Sequence, residues 1–321
     1  MEVAIKKFPI QFNFHPVIEN ESKFRAADSF VLCGMGGSHL SAGLMKIYNP
    51  TLDIYIHRDY GLPLLSEKRF NESLFIASSY SGNTEEVLDF AEKAHEKKYN
   101  LAVIAIGGKL IEFAKKNSLP YIQLPDTGVQ PRSAIGFSII ALARLIEGDE
   151  AVGELNKLGT KLNPTKWEEQ GRTLAKGLVG KIPVVYTSRG NLGIAYNWKI
   201  KFNETAKIPA FYNVFPELNH NEMAGFDRTE STKSLSDKFF FIFLEDSGDH
   251  PQIMRRMEVT RKLYIDRELP MIVLPLSGAT TFEKIFNSLI LADWTSLFLS
   301  GMYGAIADEV PIVEEFKKLI V

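Results

Sequence analysis

Ser29-Phe-Val-Leu-Cys33-Gly34-Met35-Gly36-Gly37-Ser38 and, about forty residues on, Leu74-Phe-Ile-Ala-Ser78-Ser79-Tyr80-Ser81-Gly82-Asn83-Thr84 are the two stretches that decide the fold. Each is a short, unbroken apolar run that ends in small polar residues and passes into an amphipathic stretch. That order reads as buried strand, loop, helix. Residues 53–57, 101–106 and 121–124 repeat the strand signal. Helices are expected over 38–48, 84–98, up to about 116, and 133–146. Strands alternating with helices this regularly imply a parallel sheet covered on both faces.

A Gly/Asp/Asn-rich stretch at 148–164 reads as a linker, after which the alternation restarts. Strands are expected at 182–186, 210–214, 239–244 and 271–274. Helices are expected at 193–205, 250–266 and 281–299, with a last one from Pro311. Laying Val31 to Gly36 over Val185 to Gly190 puts strand, glycine and helix in both halves, a repeat of structural units with little identity. The expectation is an α/β chain of two doubly wound parallel-sheet domains in tandem, residues 1–150 and 151–321, plus a C-terminal helix.

The 321 residues are 45% hydrophobic and 24% charged, with a formal net charge of −2. That balance is globular and offers no basic field for nucleic acid or an anionic membrane. The single cysteine, Cys33, excludes an intrachain disulfide and a cysteine-based zinc site, and its place at the end of an apolar strand reads as a small buried thiol. No apolar signal segment follows Lys6 and Lys7, and the apolar stretch 285–307 is broken by Asn287 and Asp293. It reads as a buried or interface helix and not as a membrane span. A reducing, cytoplasmic setting is expected.

The glycine stretch at 34–38 sits between a strand and a helix, where backbone N–H groups face an anion at the positive end of the helix dipole. It is not a dinucleotide fingerprint. His39 stands where the third glycine belongs, and no acidic residue ends the next strand. The Walker lysine is absent too. The second stretch supplies Ser79, Ser81 and Thr84 as hydroxyl donors at another helix start. One hydroxyl is expected to cap that helix, but four within residues 78–84 exceed what a cap needs. Recurring at the ends of two strands of one sheet, the pair suits a phosphate monoester.

Gly34-Met-Gly-Gly-Ser38 followed by Ser79-Tyr-Ser-Gly-Asn-Thr84 resembles the sugar isomerase (SIS) domain, a flavodoxin-like fold whose Ser/Thr loop grips the phosphate of a phosphosugar. In the second half, Phe202-Asn-Glu204-Thr-Ala-Lys207-Ile-Pro209 and Pro216-Glu-Leu-Asn219-His220-Asn221-Glu222 are similar to the bifunctional phosphoglucose/phosphomannose isomerases. The likeness runs from about Phe24 to the terminal helix. It implies reversible aldose–ketose isomerisation of glucose 6-phosphate with fructose 6-phosphate through a cis-enediolate. Mannose 6-phosphate is expected to be accepted too, which depends on pocket atoms near C2 and C3.

The resemblance gives each matched residue a role. Gly36, Gly37, Ser38, Ser79, Ser81 and Thr84 would hold the ligand, chiefly its phosphate. Glu204, near the end of a helix striped by Ala195, Trp198 and Phe202, would carry the proton between C1 and C2; partial desolvation would favour such a base. His220 would open the sugar ring, acting from the partner subunit of a homodimer with shared active sites, and Asn219 and Glu222 would orient it or its loop. Arg132 would stabilise the enediolate. The family's lysine on its last helix falls at Lys317, with Lys318 as the alternative, since the tail does not reproduce the family spacing cleanly. No cofactor and no metal are implied. Two other readings stay open: an isomerase of another phosphosugar (a pentose or amino sugar phosphate), and a non-catalytic phosphosugar-binding regulator.

Overall fold

The computed structural model describes residues 1–320, which divide into two compact units: residues 7–162, and residues 1–6 with 163–320. Helix α1 (Glu2–Lys6) opens the chain and belongs to the second unit. The first unit contains β1 (Ser29–Cys33), α2 (Leu40–Tyr48), β2 (Ile54–His57), α3 (Glu67–Glu72), β3 (Ser73–Ser78), α4 (Glu85–Glu96), β4 (Asn100–Ala105), α5 (Gly108–Lys116), β5 (Tyr121–Gln123), α6 (Ile135–Ile146), α7 (Asp149–Asn156) and α8 (Leu158–Lys161). Its five strands form an all-parallel sheet in the order β2-β1-β3-β4-β5. One side packs Val31, Phe75 and Val103 of the strands against Val87, Phe90 and Leu110 of the helices. Cys33 lies in this core, and burial pushes its thiol up to about 12, so it is an inert packing residue.

The second unit continues with α9 (Glu168–Leu178), β6 (Ile182–Ser188), α10 (Leu192–Lys201), β7 (Phe211–Phe215), α11 (Lys233–Ser236), β8 (Phe239–Glu245), α12 (Pro251–Asp266), β9 (Met271–Pro275), α13 (Thr281–Met302) and α14 (Pro311–Leu319). Its parallel sheet has the order β7-β6-β8-β9. Counting strands within each unit, both follow 2-1-3-4, and the first adds a fifth. In each, the order reverses between the first and third strands, and a crevice opens outside their carboxyl ends. The core here is aromatic: Tyr264 lies 4.6 Å from Phe241 and Tyr186 5.4 Å from the same ring, between ring centres.

Two expectations are corrected and a third is borne out. The stretch 148–164 is not a loose linker. It forms α7 and α8, because Val152, Leu155 and Leu158 recur at helical spacing and are buried, and Asn156 Nδ2 donates to the Phe12 carbonyl (2.5 Å). The units therefore part at Leu162. The helix expected over 193–205 ends at Lys201 and widens into a π turn, residues 202–206. Helix α13 is long and apolar enough to cross a membrane, yet 72% of that segment is buried inside the protein. It is a core helix, as the buried reading expected; exposed apolar surface within 285–307 is confined to its end, at Met302, Tyr303 and Ile306.

Candidate active site

Strand register sets the geometry in the first unit. Cys33 pairs with Ala77, so the chain leaves β1 and β3 at the same level. Gly34 then lies beside Ser78: a Cβ added there would stand 3.0 Å from the Ser78 carbonyl oxygen. Two hydrogen bonds lock the loops together. Ser78 Oγ donates to the Ser38 carbonyl (3.1 Å), and the Tyr80 N–H donates to Ser38 Oγ (2.9 Å). Gly82, at φ +73°, presses on the segment after β4, where a Cβ would fall 1.8 Å from the Gly107 carbonyl oxygen. Only glycine fits that approach and that left-handed backbone.

The hydroxyls divide into two sets. Ser79 is wholly buried; its Oγ accepts from the Gly82 N–H (3.1 Å) and shares a hydrogen bond with Thr84 Oγ1 (2.8 Å). Thr84 stands at the cap position of α4 but makes no capping bond with its side chain. The expected hydroxyl cap is thus absent, because Thr84 Oγ1 turns back onto Ser79. The leading amides of this 12-residue helix are left without a side-chain acceptor at the positive end of its dipole. Ser81 is exposed and Thr84 half-buried, so both remain within reach of a ligand.

Gly37 packs against the Pro131–Arg132 backbone, where a Cβ would stand 2.9 Å from the Pro131 carbonyl carbon. Gln11 holds this turn from behind: Nε2 donates to the Ser133 carbonyl (2.7 Å), and Oε1 accepts from the Gly136 N–H (3.0 Å). Arg132 is only 2% exposed. The structure therefore brings Gly36, Gly37, Ser38, Ser79, Ser81, Thr84 and Arg132 to one edge of one sheet. His39, next in the chain, is buried, and burial together with the Arg58 charge holds its ring down to about 4.

Glu204, His220 and Lys317 belong to the second unit. Glu204 is half-buried on the π turn that follows α10. Lys207, in the left-handed region at φ 59°, closes the turn by donating from Nζ to the Glu204 carbonyl, and Asn203 Nδ2 donates to the Ile208 carbonyl (2.9 Å). His220 is exposed, on a loop after β7 whose neighbours are pinned. Asn219 Nδ2 donates to Thr260 Oγ1 (2.9 Å), and Leu218 is buried. The Glu222 carboxylate accepts from Tyr186 Oη and Asn213 Nδ2, both at 2.5 Å.

Lys317 lies on the exposed helix α14, paired with Glu314 (2.9 Å), and Lys318 is exposed beside it. Among the described residues, no group of three His, Cys, Asp or Glu side chains is placed to hold a metal. Sequence reasoning missed the Lys201–Asp293 ion pair, 2.6 Å long, immediately before the π turn. Its signal was present: Ile194, Trp198 and Lys201 share one helical face, so a charge occupies an apolar stripe.

Residues 168–320 match the bacterial phospho-glucose isomerase C-terminal SIS domain. A bifunctional phosphoglucose/phosphomannose isomerase of Caldicellulosiruptor bescii is 34% identical over 293 residues, covering 86% of this chain and 84% of its own. The protein of that name from Aquifex aeolicus is 31% identical over 328 residues, covering 98% of each. Among solved structures, Escherichia coli tagatose-6-phosphate ketose/aldose isomerase superposes with a TM-score of 0.66 at 18% identity, over 96% of this chain and 94% of that one, and so shares the fold. On this identity and coverage, the chain belongs to the bifunctional phosphoglucose/phosphomannose isomerase family.

Proposed function

We propose that the chain interconverts glucose 6-phosphate and fructose 6-phosphate, and mannose 6-phosphate with them, through a cis-enediolate. The observation that carries this reading is the pair of locked loops at the β1/β3 crevice, which offers hydroxyls and helix amides to a phosphate, in a chain whose relatives bear that name. His220 opens the pyranose by moving a proton between O1 and the ring oxygen. The Glu204 carboxylate then takes the C2 proton of the open-chain aldose and returns it at C1, while a proton passes from O2 to O1. Arg132 stabilises the negative charge of the enediolate. Lys317 assists ring opening.

A homodimer with shared sites is part of the proposal. It is supported by the exposure of His220 and by the apolar face of α14, where Ile312, Phe316 and Leu319 are uncovered. A fully active monomer at high dilution, measured by sizing and assay together, would remove this part.

The deciding experiment is solvent-deuterium exchange followed by NMR, with chelator-treated protein and fructose 6-phosphate. Deuterium at C2 of both glucose 6-phosphate and mannose 6-phosphate is the expected result. Label in the glucose product alone restricts the enzyme to one epimer. Binding shifts with no exchange would overturn the catalytic reading.

A further inference from the structure

The Lys201–Asp293 pair joins the last residue of α10 to the middle of α13, and its side chains are 2% and 7% exposed. One turn earlier, Trp198 Nε1 donates to Ser288 Oγ on the same two helices (2.9 Å). The π turn carrying Glu204 begins at the next residue, and Phe202, Thr205 and Ala206 within it are buried.

In a plain α-helix, residues 201 and 204 would share a face, and Glu204 would follow Lys201 into the core. The wider i→i+5 turn changes the angle between Lys201 and Glu204, and Glu204 is half-buried there while Phe202, Thr205 and Ala206 are buried. The turn therefore needs a fixed starting point. A buried ion pair is a poor source of net stability, because both charges lose their hydration, and apolar residues of similar size commonly replace such a pair without loss. Its use here is geometric: it fixes the rotation and height at which the π turn leaves the helix.

We propose that Lys201 and Asp293 are positioning residues for Glu204, setting where its carboxylate meets the substrate's C1–C2 protons. This rests on the reading of Glu204 as the proton carrier. A misplacement of about 1 Å at a reacting group can cost about a hundredfold in rate.

The test is the paired substitution Lys201→Met with Asp293→Leu, assayed beside Glu204→Gln. The expected result is a folded protein with parental melting temperature, kcat lowered roughly 10- to 100-fold, and KM within about threefold. The isotope effect on kcat with C2-deuterated glucose 6-phosphate should rise, because proton transfer becomes rate-limiting; a purely structural pair would leave it unchanged. Asp293→Asn, which keeps shape and an acceptor, should lose a few-fold in kcat and decides the matter if the apolar pair does not fold. Parental kcat and isotope effect in a folded variant, with Glu204→Gln inactive, overturns the positioning role and leaves the isomerase reading standing. Substantial turnover in Glu204→Gln overturns the proton-carrier assignment and this inference with it.

Discussion

The two sheets share a strand order, yet their crevices hold opposite chemistry. At the β1/β3 ends, two glycine-bearing loops carry hydroxyls beside helix amides that no side chain caps, the place proposed above for the phosphate. At the β6/β8 ends, the corresponding place is filled by carboxylates. Asp246 accepts from Lys284 Nζ (2.7 Å) and the Gly248 N–H (2.9 Å), while Asn191 Nδ2 donates to Ser188 Oγ (3.1 Å). Burial holds the neighbouring Asp249 carboxyl above the usual carboxylate range. Lys284 is already paired with Asp246, so this place offers a phosphate no cation of its own. The duplicated topology supplies two switch points; the first is the one proposed to hold the phosphate, with Arg132 beside it, and the second unit the one proposed to carry Glu204, His220 and Lys317.

The largest expected effect tests that division between binding and chemistry. Glu204→Gln should lower kcat by about 10²–10⁴-fold while fructose 6-phosphate affinity, read by calorimetry, stays near parental. A lost affinity would mean that the second unit also binds and would blur the comparison.

Next come the glycines. Gly82→Ala should destabilise by about 3 kcal/mol, from the left-handed backbone and the overlap with the Gly107 carbonyl. Gly190→Ala, after β6, has only Ser188 Oγ within 4 Å, at 3.7 Å, and should stay within about 0.5 kcal/mol of parent. Equal melting temperatures for the two variants would show that the loops are not under different constraints.

His39 and Asp249 should respond oppositely to acid. Burial and the Arg58 charge hold the His39 ring down to about 4 against an ordinary 6.5, so the unfolded chain takes the proton first. The stability owed to its neutral ring is complete above pH 6.5 and is lost as pH falls toward 4, about 2 kcal/mol being gone at pH 5. Asp249 has the opposite sign: its raised pKa means the folded state takes the proton more readily, so its own protonation does not weaken the fold. Asp246 beside it, held below the usual carboxylate range by its Lys284 and Gly248 hydrogen bonds in spite of burial, loses its contribution in acid. Parent should lose more melting temperature between pH 7 and pH 5 than His39→Gln; equal losses would exclude His39 as the cause.

The smallest effect concerns the ligand-facing hydroxyls. Ser81→Ala and Thr84→Val should each raise KM for fructose 6-phosphate about tenfold, the worth of a hydrogen bond to a charged group. Ser188→Ala at the matching edge of the second sheet should leave KM unchanged. A rise there would restore a binding role to the second crevice.

Much of this was legible in the chain alone. The nine strands, the tandem units, the two strand-to-helix loops and the family motifs follow from local patterns, since buried parallel strands read as short apolar runs and tight loops demand glycine. The misreadings were also local. The α7–α8 segment was hidden by its Gly, Asp and Asn residues, although its apolar spacing is helical. One hydroxyl of the 78–84 cluster was expected to cap α4, but Thr84, which stands at the cap position, turns its hydroxyl to Ser79 instead. What only the tertiary structure decided depends on residues far apart in sequence. Cys33–Ala77 register levels the two loops, Arg132 is buried behind Gly37, and Asp293 meets Lys201 under the π turn. The physical reason is common to all three. Periodicity reports which face of an element is buried, but strand register, the partner of a buried charge and the rotation of a turn are set by what that face packs against.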